Sequence, residues 1–337
     1  MPGPSKPRLL VNLPPGFFGT PQLKGVFARL GRLAALRKRS HGTAEEIAKD
    51  LAWADAVIMW SWPPLTRELL ACCPRLRFAG HINLTQAGAR AELEHGLAVS
   101  EARHGWSPAV AELALGLILC GLRKISDYHA AMRQGTEHWV GDFPADIDPL
   151  ERQLAGRAVG IVGFGGIGRR LAELLEPFHV HLRVFDPYVP KIVAERLEGK
   201  LAPLLDVMKH SEVVVLCAAN TPETHHLVGA REIAALPKNA LLVNVGRAWL
   251  IDMEALTRRL EKGEVFAALD VFEKEPLPLD SPLRRLPNAW LTPHRAGAPI
   301  EAVVRIMNWL ADDFEAFLAG RPLQHELTLE MLHCLHG

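Results

Sequence analysis

"VGIVGFGGIGRRLAELLEPF", residues 159 to 178, decides the fold of this chain. An apolar strand runs into Gly163, Gly165 and Gly168, spaced G-x-G-x-x-G, and Ile167, Leu171, Leu174, Leu175 and Phe178 then recur at helical spacing. In such a strand–turn–helix the first glycine makes the tight turn, the second lets a pyrophosphate approach the backbone, and the third packs helix against strand. The helix N-terminus, here Gly166 and Ile167, adds amide N–H groups and a favourable dipole. A lone motif of this kind is weak, since any Gly-rich turn matches it. The next strand, "VHLRVFDPY", supplies the missing context, because Asp186 lies at its carboxyl end, where a carboxylate can hold both ribose hydroxyls of a dinucleotide. Asp186 repels a 2′-phosphate, and Pro187 and Tyr188 after it offer no cation, so NAD is expected rather than NADP.

Outward from this stretch, short apolar strands alternate with helical patterns. The series "RLLVNL", "TAEEIAKDLAWA", "DAVIMW", "LTRELLACC" and "RLRFAG" opens the chain, and Thr43 with Glu46 forms a capping box. The alternation predicts α/β architecture with parallel sheets covered on both faces. It breaks at "EARHGWSP", residues 101 to 108, and resumes as one long apolar helix, "PAVAELALGLILCGLRKISDYHAAMRQG". After an irregular stretch at 138 to 156 the alternation runs to about residue 294, and a last amphipathic helix spans 301 to 320.

The 337 residues are enough for two domains. Lys+Arg and Asp+Glu are both 38, a balance that gives no field to attract a polyanion, so neither nucleic acid nor membrane is an expected partner. The longest apolar run, Ala109 to Leu122, carries Glu112 and is shorter than the roughly 20 residues a bilayer requires. Five cysteines, at 72, 73, 120, 217 and 334, lack a C-x-x-C spacing and fit reduced thiols in a cytoplasmic protein. The adjacent His225 and His226, and the tail group His333, Cys334 and His336, lack a usual zinc spacing, so no metal is expected.

Three strand ends carry the chemistry. "NALLVNVGRA" ends on Arg247, "VFAALDVFEKEP" on Asp270 to Glu275, and "NAWLTPH" on His294. Ligands of open parallel sheets bind beyond the carboxyl ends of the strands. There an arginine can hold a substrate carboxylate and polarise its carbonyl, a histidine can protonate the developing alkoxide, and a carboxylate can stabilise the imidazolium and set its tautomer. Taken singly, Arg247 reads equally well as a helix-entry salt bridge, Glu275 as a solvated loop residue and His294 as a core histidine. Their joint place on successive strand ends behind a dinucleotide motif favours catalysis.

"GIVGFGGIGRRLAELL", "VFDPY", "NTPETHHLVG", "LVNVGRAWLID", "ALDVFEKEP" and "LTPHRAG", in that order, resemble the D-isomer-specific 2-hydroxyacid dehydrogenases. The resemblance is strong from about Trp106 to Gly297 and weaker elsewhere. It implies Arg247, Glu275 and His294 as the catalytic triplet, Asp270 as the ligand of the nicotinamide carboxamide, and backbone contacts to the cofactor at Cys217 and Gly246. Arg247, His294 and Gly297 are also expected against the cofactor. The implied architecture is two doubly wound parallel-sheet domains, a Rossmann cofactor domain (106–294) inserted into a flavodoxin-like substrate domain (1–105 and 295–337). Crossovers near 101–106 and 294–299 would form a hinge that closes over the ligands. A homodimer through the cofactor domain is implied too, which would give the Ala109–Leu122 helix and Trp139 a reason to be so apolar; burial of that helix within its own domain explains it equally well.

The chain departs from the family in its substrate loop and at Arg295, and a second loop is expected to face the substrate. The usual glycine-rich substrate loop is replaced by "AGHINLTQAGARAELEHG", shorter and without its acidic pair, where backbone amides from Ile82 to Thr85, Asn83 and Leu84 included, could still hold a carboxylate. In "MWSWPPL", alternation sends Trp60 and Trp62 to one face around Ser61, as core or as an apolar wall for the substrate; a wall favours an aliphatic or aromatic 2-oxo acid over glyoxylate. Arg295, after the catalytic histidine, either pairs with a carboxylate or favours a second anionic group on the substrate. The leading expectation is an NAD-dependent oxidoreductase interconverting a small 2-oxo acid and its D-2-hydroxy acid. A phosphite-type dehydrogenase and a non-catalytic NAD(H)-sensing, corepressor-like binding protein are the alternatives; Glu275 argues against a formate enzyme, which would carry an amide there.

Overall fold

Leu9, Leu10 and Val11 show why the first strand forms. In β1 (Arg8–Asn12) Leu9 and Val11 enter one hydrophobic cluster and Leu10 another, all three without exposed surface. Such a strand belongs inside a parallel sheet with helices on both faces. The computed structural model describes residues 6 to 334. In it β1 lies between β2 (Ala35–Arg39) and β3 (Ala56–Met59), followed outward by β4 (Phe78–His81) and β5 (Ala98–Glu101), all parallel in the order β2-β1-β3-β4-β5. This is the flavodoxin-like order. On one face the helix Ile300–Leu318 buries Val303, Ile306, Leu310 and Phe314 against Phe27 and Phe78; on the other the helix Ala44–Trp53 buries Ile47 and Leu51. The latter opens on the expected capping box: Thr43 Oγ1 accepts from the Glu46 amide, and Glu46 Oε2 accepts from the Thr43 amide.

This unit takes in residues up to Trp106 and again from Pro299. Buried Asp313 fastens the returning chain, accepting from Ser100 Oγ at 2.6 Å and from the Gln324 and His325 amides. The final segment then bonds along β5, Glu101 N–H to the His325 carbonyl and Leu327 N–H to that of Val99.

Residues 107 to 298 form the second unit. Its strands are β6 (Ala158–Val162), β7 (His181–Phe185), β8 (Lys200–Leu201), β9 (Val213–Leu216), β10 (Leu241–Asn244), β11 (Phe266–Leu269) and β12 (Ala289–Leu291). All pair in parallel, in the order β12-β11-β10-β9-β6-β7-β8. The order reverses between β6 and β9, which is where a doubly wound sheet opens a crevice for a dinucleotide.

The single long helix expected from residue 108 is two. Ser107–Arg123 ends at Lys124, whose backbone is left-handed (φ 50°), and a second helix runs Ile125–Gln134. Left-handed backbone costs a non-glycine residue roughly 1–2 kcal/mol. The ion pair of Lys124 with Asp148 at 2.5 Å and the bond from Trp290 Nε1 to Asp127 at 3.0 Å offset that cost and set the new direction. The apolar run is also longer than its 14 residues suggested. Arg103–Arg123 is a continuous helical stretch of 21 residues, long and apolar enough by length and composition to cross a bilayer, though more than half of it is buried in protein. Gly121 lets it approach: a Cβ there would stand 2.8 Å from Leu241 and 3.1 Å from Trp290.

Gly160 in β6 has the same function beneath the glycine turn. A Cβ at 160 would meet Val207 Cγ1 at 2.6 Å and Ser211 Oγ at 2.7 Å, so the helix Leu204–Lys209 packs directly onto the strand. Gly160→Ala should therefore overpack this layer and lower stability by about 1–3 kcal/mol in urea unfolding. An unchanged midpoint would mean that the helix is free to move away.

Candidate active site

The glycine turn follows directly from β6. Gly163 has φ +92°, and a Cβ on it would lie 2.4 Å from the Ala218 backbone, so glycine is required on both counts. A Cβ on Gly168 would stand 2.3 Å from the Gly163 carbonyl oxygen, which explains how the helix Gly166–Leu175 closes onto the strand. Gly165 instead faces open space. No side chain caps this helix, so its first amides, those of Gly166, Ile167 and Gly168, are left for an incoming ligand. An open glycine beside uncapped amides fits the pyrophosphate of a nicotinamide dinucleotide. Asp186, at the end of β7, is braced by two amides: Phe164 N–H donates to Oδ2 at 2.7 Å and Tyr188 N–H to Oδ1 at 2.9 Å. Each oxygen keeps a lone pair for a ribose hydroxyl.

The amides of Cys217 and Gly246, two residues expected at the cofactor, bond within the protein. The Cys217 amide donates to the Val162 carbonyl, and its buried thiol donates to Gly163 O at 3.1 Å. Burial, with Asp186 nearby, pushes that thiol up to about 12, so it stays protonated. The Gly246 amide donates to Asn244 Oδ1 at 3.0 Å, and its carbonyl accepts from Arg247 Nη1 at 2.8 Å. Asn244, fully buried at the end of β10, also donates from Nδ2 to the Arg247 carbonyl, so it wraps the turn that presents Arg247. Sequence reading passed over Asn244; its one signal is an amide among the aliphatics of "LLVNV".

The catalytic candidates come together in this unit. His294 Nδ1 meets Glu275 Oε2 at 2.7 Å, and Glu275 Oε1 accepts from the Phe272 amide at 3.0 Å. Burial works to raise Glu275, but the bonds from His294 and Phe272 and the charges of His294 and Arg247 outweigh it and hold the carboxyl below its usual range. Desolvation lowers the Arg247 pKa, opposed by the charge of Glu275. With Nδ1 engaged by Glu275, Nε2 is the ring nitrogen left for a substrate oxygen.

Asp270, expected at the nicotinamide carboxamide, also organises the chain around it. It is 0% exposed, and its carboxylate accepts from Thr292 Oγ1 (2.6 Å), the Arg295 amide (2.7 Å) and the Ala296 amide (2.9 Å). Its carbonyl accepts from the His294 amide as well. These bonds close the 292–296 turn and put His294 in left-handed backbone, φ +52°. Three donors thus hold the carboxylate in place, and Oδ2, which takes only the Ala296 amide, keeps one lone pair. Arg295 is exposed, and among the described residues its side chain makes no ion pair. Gly297 follows, half-buried.

In the first unit, Trp60 and Trp62 do lie together, ring centroids 5.6 Å apart, on either side of Ser61. Trp60 also packs on Phe17 and Trp106, two aromatics that sequence reading had not joined to it. Trp62 is exposed, on the rim of a small cavity of about 130 Å³ lined also by Asn12, Ser40 and His41. The substrate turn needs one correction: Ile82 is fully buried and its amide donates to the Met59 carbonyl, so it cannot take a ligand. The amides of Asn83, Leu84 and Thr85 have no backbone acceptor among the described residues, and Thr85 caps the helix Gln86–Glu94. The described residues contain no metal-binding cluster; His336 and the side chains of His333 and Cys334 lie outside them.

Residues 115 to 296 match the family described as D-isomer specific 2-hydroxyacid dehydrogenase, NAD binding domain. The chain is 32% identical to a D-3-phosphoglycerate dehydrogenase of Methanocaldococcus jannaschii, over 85% of this chain and 54% of the relative. It is 31% identical to a glyoxylate reductase of Aeropyrum pernix, over 80% of this chain and 81% of the relative. It thus spans about half the length of the phosphoglycerate dehydrogenases it matches. Among solved structures, a phosphoglycerate oxidoreductase of Rhizobium etli superposes with a TM-score of 0.79 at 29% identity, covering 95% of this chain and 98% of the other.

If Asp270 holds the turn, Asp270→Asn, which weakens at least one of three charge-assisted bonds, should lower kcat about tenfold or more. The NADH dissociation constant, followed by fluorescence, should stay within about twofold. A large loss of NADH affinity at unchanged kcat would return Asp270 to the carboxamide.

Proposed function

Since the chain belongs to the D-isomer specific 2-hydroxyacid dehydrogenases, we propose that it interconverts a 2-oxo acid and its D-2-hydroxy acid, with NAD as the nucleotide. The observation that carries this reading is the 2.7 Å bond between His294 Nδ1 and Glu275 Oε2, in the same unit as Arg247 and the glycine turn. A bound reduced nicotinamide supplies the hydrogen and electron pair that the carbonyl carbon gains. Arg247 holds the substrate carboxylate and polarises the carbonyl through its planar fork of donors. His294 gives the proton on Nε2 to the carbonyl oxygen as charge develops there, and Glu275 stabilises the imidazolium and keeps the ring in that orientation. In the oxidative direction the same nitrogen takes the hydroxyl proton. Asp186, which would repel a 2′-phosphate, supports NAD over NADP.

The substrate is a 2-oxo acid larger than glyoxylate. The unpaired Arg295, one residue from the proton donor, supports a second anionic group on it. The partner is a second copy of the chain: the exposed Ile125, Tyr128, Met132, Trp139 and Phe143, on one helix and the segment after it, support this, whereas Val110, Ala114, Leu117, Ile118 and Leu122 of the preceding apolar helix are buried within the protein. Cys72, Cys73, Cys120 and Cys217 are free thiols, which suits a reducing cytoplasm.

NADH oxidation with pyruvate, branched, aromatic and dicarboxylic 2-oxo acids tests the reading. Turnover should be lost by at least about a thousandfold in His294→Ala, within the scale of general acid catalysis. Arg295→Ala should lose activity on dianionic substrates alone; equal losses across the panel would remove Arg295 from substrate selection. Retained turnover in His294→Ala would contradict the proton-donor role. For the dimer, Trp139→Asp should give monomers in sedimentation, and an unaltered sedimentation coefficient would place the interface elsewhere.

A further inference from the structure

The glycine turn of the second unit carries more positive potential than its amides alone supply. Between Gly163 and Gly168 the chain has no cation, but Arg169 and Arg170 follow at once. Arg169 closes the first turn of the helix Gly166–Leu175, the positive end of its dipole, and no acidic residue stands in that turn to offset it. A cation is ordinarily unfavourable there. Arg170 has a partner in Glu173, one turn on, at 2.7 Å. Among the described residues the Arg169 side chain makes no ion pair, and its one hydrogen bond runs from Nε to the Phe164 carbonyl at 3.0 Å.

That bond fixes where the charge goes. Side chains of a helix tilt toward its N-terminus, and Arg169 follows the tilt back to Phe164, the residue between Gly163 and Gly165. The Arg169 amide itself donates to the Gly165 carbonyl at 3.1 Å, so the residue is inside the helix while its guanidinium lies on the turn ahead of it. Holding a long, exposed side chain in one place costs rotamer entropy that a single bond to a carbonyl offsets only in part. The carboxylate at this turn, Asp186, bonds the amide of the same Phe164 and forms no ion pair with Arg169.

The helix dipole, the uncapped amides of Gly166 to Gly168 and a guanidinium with two unengaged terminal nitrogens thus meet at one turn. A diphosphate fits this set, since each phosphate brings charge and acceptor oxygens that a planar fork meets bidentately. We propose that Arg169 is a cofactor-binding residue, its Nε anchored on Phe164 and its terminal nitrogens holding the pyrophosphate of the dinucleotide. This rests on the nucleotide reading of the glycine turn and is independent of which 2-oxo acid is reduced. Phe164 is then clamped at both ends, by Asp186 for the ribose and by Arg169 for the phosphates.

The test is equilibrium binding, without turnover. Dissociation constants of NADH, from its fluorescence, and of ADP-ribose and adenosine, from displacement of NADH, are compared in wild type, Arg169→Met and Arg169→Lys, with melting curves to verify folding. Methionine keeps an unbranched side chain and the helix propensity while removing the charge. Arg169→Met should weaken NADH and ADP-ribose by about tenfold and leave adenosine, which has no phosphate, within about twofold. Its NADH affinity should also depend less on salt than that of wild type, because a screened charge has been removed. Arg169→Lys, a charge without the fork, should fall between the two. An equal loss for adenosine would mean that Arg169 only braces Phe164 and through it Asp186, and would overturn the proposal, as would unchanged constants for all three ligands. Wild type that binds neither NADH nor ADP-ribose would overturn the nucleotide reading, and this inference with it.

Discussion

A fully buried carboxylate at the end of a sheet strand holds the catalytic arrangement together. Asp270 has no water to solvate it, so its charge must be met by protein donors, and Thr292, Arg295 and Ala296 supply them. Meeting all three requires the chain after β12 to curl around Asp270, and that curl forces His294 into left-handed backbone. A bulky residue takes that conformation only where its surroundings impose it. The result is an imidazole turned to Glu275 with its other nitrogen unclaimed. Desolvation of one acid thus sets the geometry of the proposed proton donor.

Close backbone approach governs the nucleotide half. At the topological switch between β6 and β9, Gly163 nearly touches Ala218 and Gly168 nearly touches Gly163. Only Gly165 is left facing outward, next to uncapped helix amides. Two glycines are spent on packing and one on access, which is why the spacing of the motif matters more than its glycine content. Asp186 is likewise held by two amides before any ribose arrives, so its side chain has little rotamer freedom to lose on binding.

Features written in local pattern were legible in the sequence: the capping box of Thr43 and Glu46, the β–α alternation that becomes two parallel sheets, the glycine turn, and the pairing of Glu275 with His294. Features that depend on distant partners were not. Lys124 breaks the long helix because Asp148 and Trp290 redirect it, and nothing in "GLRKISD" announces a left-handed residue. Nothing in the sequence announces that Asp270 accepts from the chain after the next strand, since its donors lie 22 to 26 residues away. Ile82 lost its amide to Met59 on a neighbouring strand.

The proposed reaction delivers hydrogen to one face of a 2-oxo acid while His294 protonates the oxygen. The most direct measurement is reduction of the preferred 2-oxo acid with NADH deuterated at C4 on the transferring face, followed by chiral separation and mass analysis. A D-2-hydroxy acid carrying deuterium at C2 is the predicted product. The L-isomer, or a product without deuterium at C2, would contradict the account.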